Sequence, residues 1–343
     1  MRWRAAGVAL ALVFGLAAPA SAATACSDVS LPVQLDVLLP AQVHGRLCVP
    51  AGGATRVQLL VHGATYDSRY WDEPIGDFSY VRRAVGDGWA TLAIDRVGYG
   101  ASTREPSVVL TASTQALTVH QIIGQLRAGS VGGQAFDDVL LVGHSVGSAV
   151  SLIESSLYND ADALALTGMT HRLSPEELAA ALAAQVRPVT LDPGPLATEY
   201  DPGYLTTVPG TRAALFYGPD PDPAMVAYDE ATKGVVSSTE IADAIALGFT
   251  LPMSLGIRLP VYLVAGGHDA LFCGHLLGGD CSSAPALTAE ESPYFANAST
   301  FTAATLPDSG HDLNFAPDAS VYETALNTWA DNLSESRSGA HRM

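Results

Sequence analysis

Asp138-Val139-Leu140-Leu141-Val142-Gly143-His144-Ser145-Val146-Gly147 is the stretch on which the reading of this chain turns. A run of apolar strand formers leads straight into Gly-His-Ser-Val-Gly, and small, helix-compatible residues follow. A serine carried on a sharp turn between strand and helix needs strained backbone angles. Glycines two places before and two after it let strand and helix approach without side-chain clash. The five-residue pattern alone is weak evidence; its strand–turn–helix setting, and partners found elsewhere in the chain, give it weight.

Outward from this stretch, strand and helix patterns alternate. Val33 to Leu39 and Val43 to Val49 alternate apolar and polar residues around a Pro40-Ala41 turn, which predicts an antiparallel pair. Short apolar strands are expected at Val57 to Val61, Ala90 to Ile94, Ala163 to Thr167, Val261 to Ala265 and Thr300 to Leu306. Helices are expected at Tyr80 to Val85, along Ala116 to Leu126 where apolar residues recur at helical spacing, and from the serine turn to about Tyr158. Such alternation implies a mostly parallel sheet with right-handed crossovers. Residues 173–250 break the rhythm. Ser174-Pro175-Glu176-Glu177 reads as a capping box, and eight prolines fall between Pro188 and Pro223, interleaved with Tyr200, Tyr204, Phe216 and Tyr217. This segment reads as a cap inserted into a core of residues 23–172 and 251–335. The last helix is expected over Val321 to Leu333, with a loose tail over 336–343.

The first 22 residues read as an export signal. Arg2 and Arg4 precede an apolar stretch too short to span a bilayer comfortably, and Ala20-Ser21-Ala22 offers a small-residue cleavage site. The mature protein is therefore expected to be secreted, with no stable membrane anchor. Four cysteines suit an oxidising compartment. Of three possible pairings we favour the local one, Cys26–Cys48 with Cys273–Cys281; neither spacing resembles a zinc site. The 343 residues carry 35 acidic against 17 basic side chains, a formal net charge of −18. Removing Arg2 and Arg4 leaves 15 basic residues and a net −20. A surface this acidic repels nucleic acid and anionic lipid.

Taken in order, the serine turn, an acid at Gly266-Gly267-His268-Asp269 after a later strand, and a histidine at Ser309-Gly310-His311-Asp312 near the end resemble the α/β-hydrolase superfamily. Within it the chain looks most like secreted, serine-dependent members with a helical cap. The resemblance implies a mostly parallel sheet flanked by helices, and Ser145 as nucleophile on an elbow. It also implies His311 as general base and Asp269 as the carboxylate that orients it. Asp312 adjoins His311 and is badly placed for that task. His62-Gly63-Ala64 resembles the turn whose backbone N–H groups, those of Ala64 and Val146, bind an oxyanion, with His62 bracing the turn. Asp95…Gly98-x-Gly100-x-Ser102 matches a structural turn of the family. Of the nearby aromatics, Tyr70, Trp71, Phe216 and Tyr217 are the expected walls of an apolar substrate pocket.

Departures narrow the expectation. The elbow residue is neither Asp nor Cys, which sets aside haloalkane, epoxide and dienelactone chemistry of this fold. No P-loop, dinucleotide fingerprint or metal-ligand spacing occurs, so no cofactor or metal is expected. The implied reaction is hydrolysis of a small carboxylic ester. Amide, peptide, lactone and thioester cleavage remain open to the same residues, and a non-catalytic binder of the fold is the alternative of another class.

Overall fold

Strands buried on both faces show unbroken apolar runs, and the central strands of this protein have that character. The computed structural model describes residues 24–340 apart from Pro252 and His275; residues 1–22, read above as an export signal, lie outside the described residues. Along the chain the core strands are β1 (Ala25–Asp36), β2 (Leu39–Val49), β3 (Arg56–Val61), β4 (Ala90–Ile94), β5 (Asp138–His144) and β6 (Ala163–Thr167). Helix α1 (Tyr80–Gly86) precedes β4, α2 (Ala112–Arg127) precedes β5 and α3 (Val146–Leu157) follows it.

After β6 the cap begins. Its elements are α4 (Pro175–Ala184), β7 (Val186–Pro188), α5 (Leu196–Glu199), β8 (Tyr204–Thr207), α6 (Arg212–Phe216), α7 (Pro223–Thr232), β9 (Val236–Ser237) and α8 (Ser238–Asp243). Helix α8 runs on as a π-helical turn over Ala244–Thr250. The core resumes with β10 (Pro260–Gly266), α9 (Ala284–Glu291), β11 (Thr300–Leu306) and α10 (Ala319–Ala340).

Eight strands form one sheet in the order β1-β2-β4-β3-β5-β6-β10-β11. The hairpin β1–β2 and the β2–β4 pair are antiparallel; every other pairing is parallel. Alternate residues of β5 feed opposite cores. Val139 and Leu141 join the α2 and α3 side, while Leu140 and Val142 join the α1 and α10 side. The expected doubly covered parallel sheet is thus observed.

Local details differ from the sequence reading in three places. The hairpin turns at Val37-Leu38 rather than Pro40-Ala41, leaving both side chains about 90% exposed. Leu31, Val33 and Leu35 on one strand, with Ala41, Val43 and Leu47 on the other, face the core in a register that only this turn permits. Helix α4 starts after Ser174, but the serine side chain caps no backbone N–H, so the capping box is not closed. Helix α10 continues to Ala340, past the expected end at Leu333 and into the stretch read as a tail.

The cap is mainly helical but also carries a three-stranded antiparallel sheet, β7-β8-β9. Three polar ties fasten it. Arg212 at the start of α6 pairs with Asp229 of α7 at 2.8 Å and donates to Thr65 Oγ1 of the core at 2.9 Å. Glu240 of α8 meets Arg96 and the Tyr99 hydroxyl, all three buried. At the base of the cap, His171 Nδ1 donates to Glu291 Oε2 at 2.7 Å, and Ser254 Oγ donates to His171 Nε2 at 2.9 Å. His171 and Ser254 flank the inserted segment, so this string fastens both of its ends to α9.

Disulfides join Cys26 to Cys48 and Cys273 to Cys281, the favoured pairing. The first ties β1 to β2; the second closes the loop after β10. Among the described residues no helix is long and apolar enough to cross a membrane.

Candidate active site

The turn between β5 and α3 holds Ser145 at φ +53°, a left-handed conformation that a non-glycine residue adopts only under local compulsion. The compulsion is close packing. A Cβ on Gly143 would lie 2.5 Å from the Gly147 carbonyl oxygen, and one on Gly147 would overlap the carbonyl oxygens of Val61 and His62. Strand and helix can converge on Ser145 only because both flanking positions lack side chains. The Ser145 N–H is held by the Thr167 carbonyl at 2.9 Å.

Three loops at the carboxyl ends of strands meet above this turn. His311, in the loop after β11, places Nε2 2.8 Å from Ser145 Oγ, and its Nδ1 2.8 Å from Asp269 Oδ2. With the proton on Nδ1 the imidazole donates to Asp269 and accepts from the serine hydroxyl. Asp269 follows β10, and its other oxygen accepts the N–H groups of Leu271 and Phe272 at 3.0 and 3.3 Å. One carboxylate oxygen therefore fixes the loop and the other faces the histidine. All three side chains are buried, Ser145 the least so at 8% exposed. Burial by itself lowers the His311 pKa. The Asp269 charge and the hydrogen bond to it outweigh that effect and raise the pKa above the ordinary imidazole value.

The His62-Gly63-Ala64 turn lies across from the serine. His62 braces it from within: Nδ1 donates to the Gly63 carbonyl at 2.9 Å and Nε2 accepts the Arg96 N–H at 3.1 Å. The Thr65 N–H is taken by the Val235 carbonyl of the cap at 3.1 Å. Ala64 and Val146 both border the cavity in front of Ser145. Val146 is the first residue of α3, where a backbone N–H has no intrahelical acceptor. Asp95 shapes the neighbouring turn by accepting the Ser68 and Ala101 N–H groups, each at 2.8 Å.

The cavity, of about 100 Å³, lies between the core and the cap. Its walls are apolar: Leu178, Leu215, Phe216, Ile245 and Phe249 from the cap, with Phe272 from the core. Among the described residues, His311 is the only wall residue able to carry a charge. Phe216 borders this cavity, its ring 5.6 Å from that of His311.

The other three aromatics proposed as pocket walls do not reach this cavity. Tyr70 is buried and stacks on His144 at 4.3 Å; Trp71 is buried edge-on between Tyr70 and Tyr80. Both support the serine turn from below, because the short helical turn over Ser68–Trp71 directs them into the core under α1. Tyr217 follows Phe216 directly, and as the chain leaves α6 extended, consecutive side chains point to opposite sides. Its ring borders a separate depression beside Asp308 and Pro317.

A buried polar cluster behind the histidine escaped the sequence reading. Asp312 accepts from the Tyr66 hydroxyl and meets His144 Nε2 at 3.2 Å. Tyr66 also reaches Asp229 at 3.4 Å, which joins the cluster to Arg212 of the cap. Burial pushes both carboxyl groups, Asp312 and Asp229, up to about 6. Burial and the nearby His311 hold His144 well below its usual range, so it stays neutral. His144, His311 and Asp312 offer ligand atoms within 4.8 Å of one another, but both His311 nitrogens are engaged by Ser145 and Asp269. No spacing signal links these residues; only the folded chain brings Tyr66, Arg212, Asp229 and Asp312 together.

A model of the alpha/beta hydrolase family matches residues 58–324, most of the chain, and the chain belongs to that family. Its architecture is similar to a thermophilic esterase from Thermogutta terrifontis solved with malate bound (TM-score 0.58, 16% identity, 89% of this chain and 99% of that one). It is also similar to an esterase from Exiguobacterium antarcticum (0.59, 14%, 88% and 100%) and to the enol-lactonase of Burkholderia xenovorans (0.58, 16%, 85% and 97%). At such identities the likeness is one of fold. No curated protein matches the chain by sequence.

Proposed function

We propose that this protein is an exported serine hydrolase that cleaves carboxylic esters of uncharged, apolar acids. The observation that carries the reading is the aligned string Asp269–His311–Ser145 opening onto a cavity whose walls, among the described residues, hold no carboxylate, guanidinium or ammonium group. Ser145 attacks the ester carbonyl while His311 takes its proton. The Ala64 and Val146 N–H groups hold the developing oxyanion. His311 returns the proton to the departing alcohol, then activates the water that clears the acyl-enzyme. Asp269 keeps the imidazole in the working tautomer and stabilises it when charged. Two disulfides are compatible with an extracellular site of action.

Recognition of a free amine, as an aminopeptidase requires, would need an acidic group in the cavity. Of the candidates, Glu176 is exposed, Glu199 pairs with Arg104 at 3.3 Å, and neither they nor Glu177 line the cavity.

Initial rates on p-nitrophenyl esters of rising acyl length, for the mature protein and Ser145→Ala, test the proposal. The expected result is a loss of several powers of ten in the variant. Equal activity of the two proteins would exclude Ser145 as nucleophile. A wild type inert toward esters but active on peptides, lactones or thioesters would replace the ester assignment.

A further inference from the structure

A second group of titratable side chains lies away from the serine, at the far end of α3. Glu154 on α3, His120 on α2 and Asp160 in the α3–β6 loop offer ligand atoms within 4.8 Å of one another. Glu154 is fully buried, and neither its Oε1 nor Asp160 Oδ1 has a donor from any further residue; burial, then the hydrogen bond to Asp160 and its charge, push the Glu154 carboxyl up to about 10. A buried carboxylate oxygen left unmatched is costly unless a proton or a cation fills the gap. His120 Nδ1 already points at Asp160, 2.6 Å from Oδ2, and its ring is held by stacking on Tyr158 at 3.9 Å.

We propose that His120, Glu154 and Asp160 form a divalent-cation site of the zinc class, which clamps α2 and the α3–β6 loop onto the C-terminal end of α3. Four observations support it. One imidazole nitrogen with two carboxylates is a donor set suited to zinc. A divalent ion would take the place of the proton that the two carboxyl groups otherwise share, and Arg127 beside them is engaged by Asp162 at 2.8 Å and by the Asp160 carbonyl at 2.6 Å. A positive ion near the last turn of α3 also complements the helix dipole. Finally, His120 and Asp160 remain about one-third exposed, which leaves a path for the ion and for completing water ligands. Tetrahedral ligands at about 2.1 Å from zinc stand roughly 3.4 Å apart, so small side-chain rotations suffice to close the site. Glu154 lies nine residues from Ser145 in sequence, about 13 Å along α3. The ion would therefore brace the helix that carries the serine without touching the reaction. Because the ligands come from three elements, no sequence spacing announces them.

The competing occupant is a proton shared by Glu154 and Asp160. Untagged mature protein, stripped with EDTA, is titrated with zinc chloride by calorimetry, and its melting temperature is followed with and without zinc. The expected result is one equivalent bound and a rise of at least about 4 °C. Both are lost in His120→Ala and in Glu154→Gln, whose carboxamide can still donate to Asp160 and keep the fold intact. Asp160→Asn, at a partly exposed position, gives a second test where Glu154→Gln folds poorly. Ester hydrolysis well below the melting range stays unchanged by EDTA. Absence of zinc binding to the wild type, with Glu154→Gln as stable as or more stable than the wild type, would establish the shared proton and overturn the proposal. Binding that persists in His120→Ala and inhibits hydrolysis would put the ion on His144, His311 and Asp312 and overturn it equally.

Discussion

Replacing Asp269 by Asn tests the proposed mechanism at the point where the geometry is most specific. The Asn oxygen can retain the Leu271 and Phe272 N–H groups that Oδ1 now accepts, so the loop stays in place. Its Nδ2 then faces His311 Nδ1 across the present 2.8 Å. A donor there drives the imidazole proton to Nε2, against the Ser145 hydroxyl, and the base is presented in the wrong tautomer. The charge is lost as well. A unit pair at about 4 Å with an effective dielectric of about 20 is worth about 4 kcal/mol, or roughly three powers of ten in rate. With the tautomer error the expected fall in kcat/KM is about 10⁴-fold.

The pH profile adds a second readout. Neutral His311 is the active form, so the wild-type rate rises with pH through a midpoint above the ordinary imidazole value. Without Asp269 the main raising influence is gone while the effect of burial persists, so the midpoint moves to lower pH. The same linkage has a sign for stability: the contribution of His311 is complete below about 6.5 and fades as pH rises through its elevated folded value. Initial rates on p-nitrophenyl acetate from acid to alkaline pH measure both effects. Asp312→Asn is the control. Asp312 touches Tyr66 and His144 rather than the His311 ring, and its loss should cost less than about tenfold. An Asp269→Asn variant within tenfold of wild type, or an Asp312→Asn variant equally impaired, would refute the reasoning.

Two further predictions concern the framework. Gly147→Ala forces a methyl group into the backbone carbonyls of Val61 and His62, which cannot rotate away. The cost lies at or above the upper end of the roughly 1–3 kcal/mol of ordinary overpacking, seen as a melting temperature lower by about 6 °C or more with loss of hydrolysis; an unchanged melting curve would show that strand and helix are not held together as described. Removing the Cys26–Cys48 bond, which spans 22 residues, by double replacement with Ser should lower stability by about 3.4 kcal/mol on the chain-entropy estimate, against about 2.5 for the 8-residue separation of Cys273–Cys281. Denaturant unfolding of the two double variants gives the order, and the reverse order would count against it.

The parts of the site legible in sequence are those where backbone and side-chain demands coincide. Gly143 and Gly147 are dictated by close approach, and Ser145, Asp269 and His311 each follow a strand whose apolar run marks its end. Side-chain direction within irregular segments was not legible. Tyr70 and Trp71 lie six and seven residues after Ala64, yet a short helical turn aims them into the core; Phe216 and Tyr217 are adjacent and face different cavities. The Val37-Leu38 turn was hidden because turn composition favours polar residues, whereas here register decided. Polar ties such as Arg212–Thr65 and Tyr66–Asp312 join residues 147 and 246 positions apart, and the periodicity of neither partner reports them.

Ser254, His171 and Glu291 repeat, atom for atom, the hydrogen-bond order of a hydrolytic relay: hydroxyl to Nε2 at 2.9 Å, Nδ1 to carboxylate at 2.7 Å. This second relay serves as a rivet. Its hydroxyl is fully enclosed, and the 3₁₀ turn over Met253–Gly256 that carries it is not the left-handed corner that exposes Ser145. A geometric template built on three side chains alone would score the molecule twice. A fluorophosphonate, which needs an open approach to the oxygen and a nest of N–H groups for the phosphoryl group, would register it once, at Ser145. Reactivity in this fold is thus a property of the vacancy in front of the serine, and the string of hydrogen bonds behind it is equally at home as a fastener.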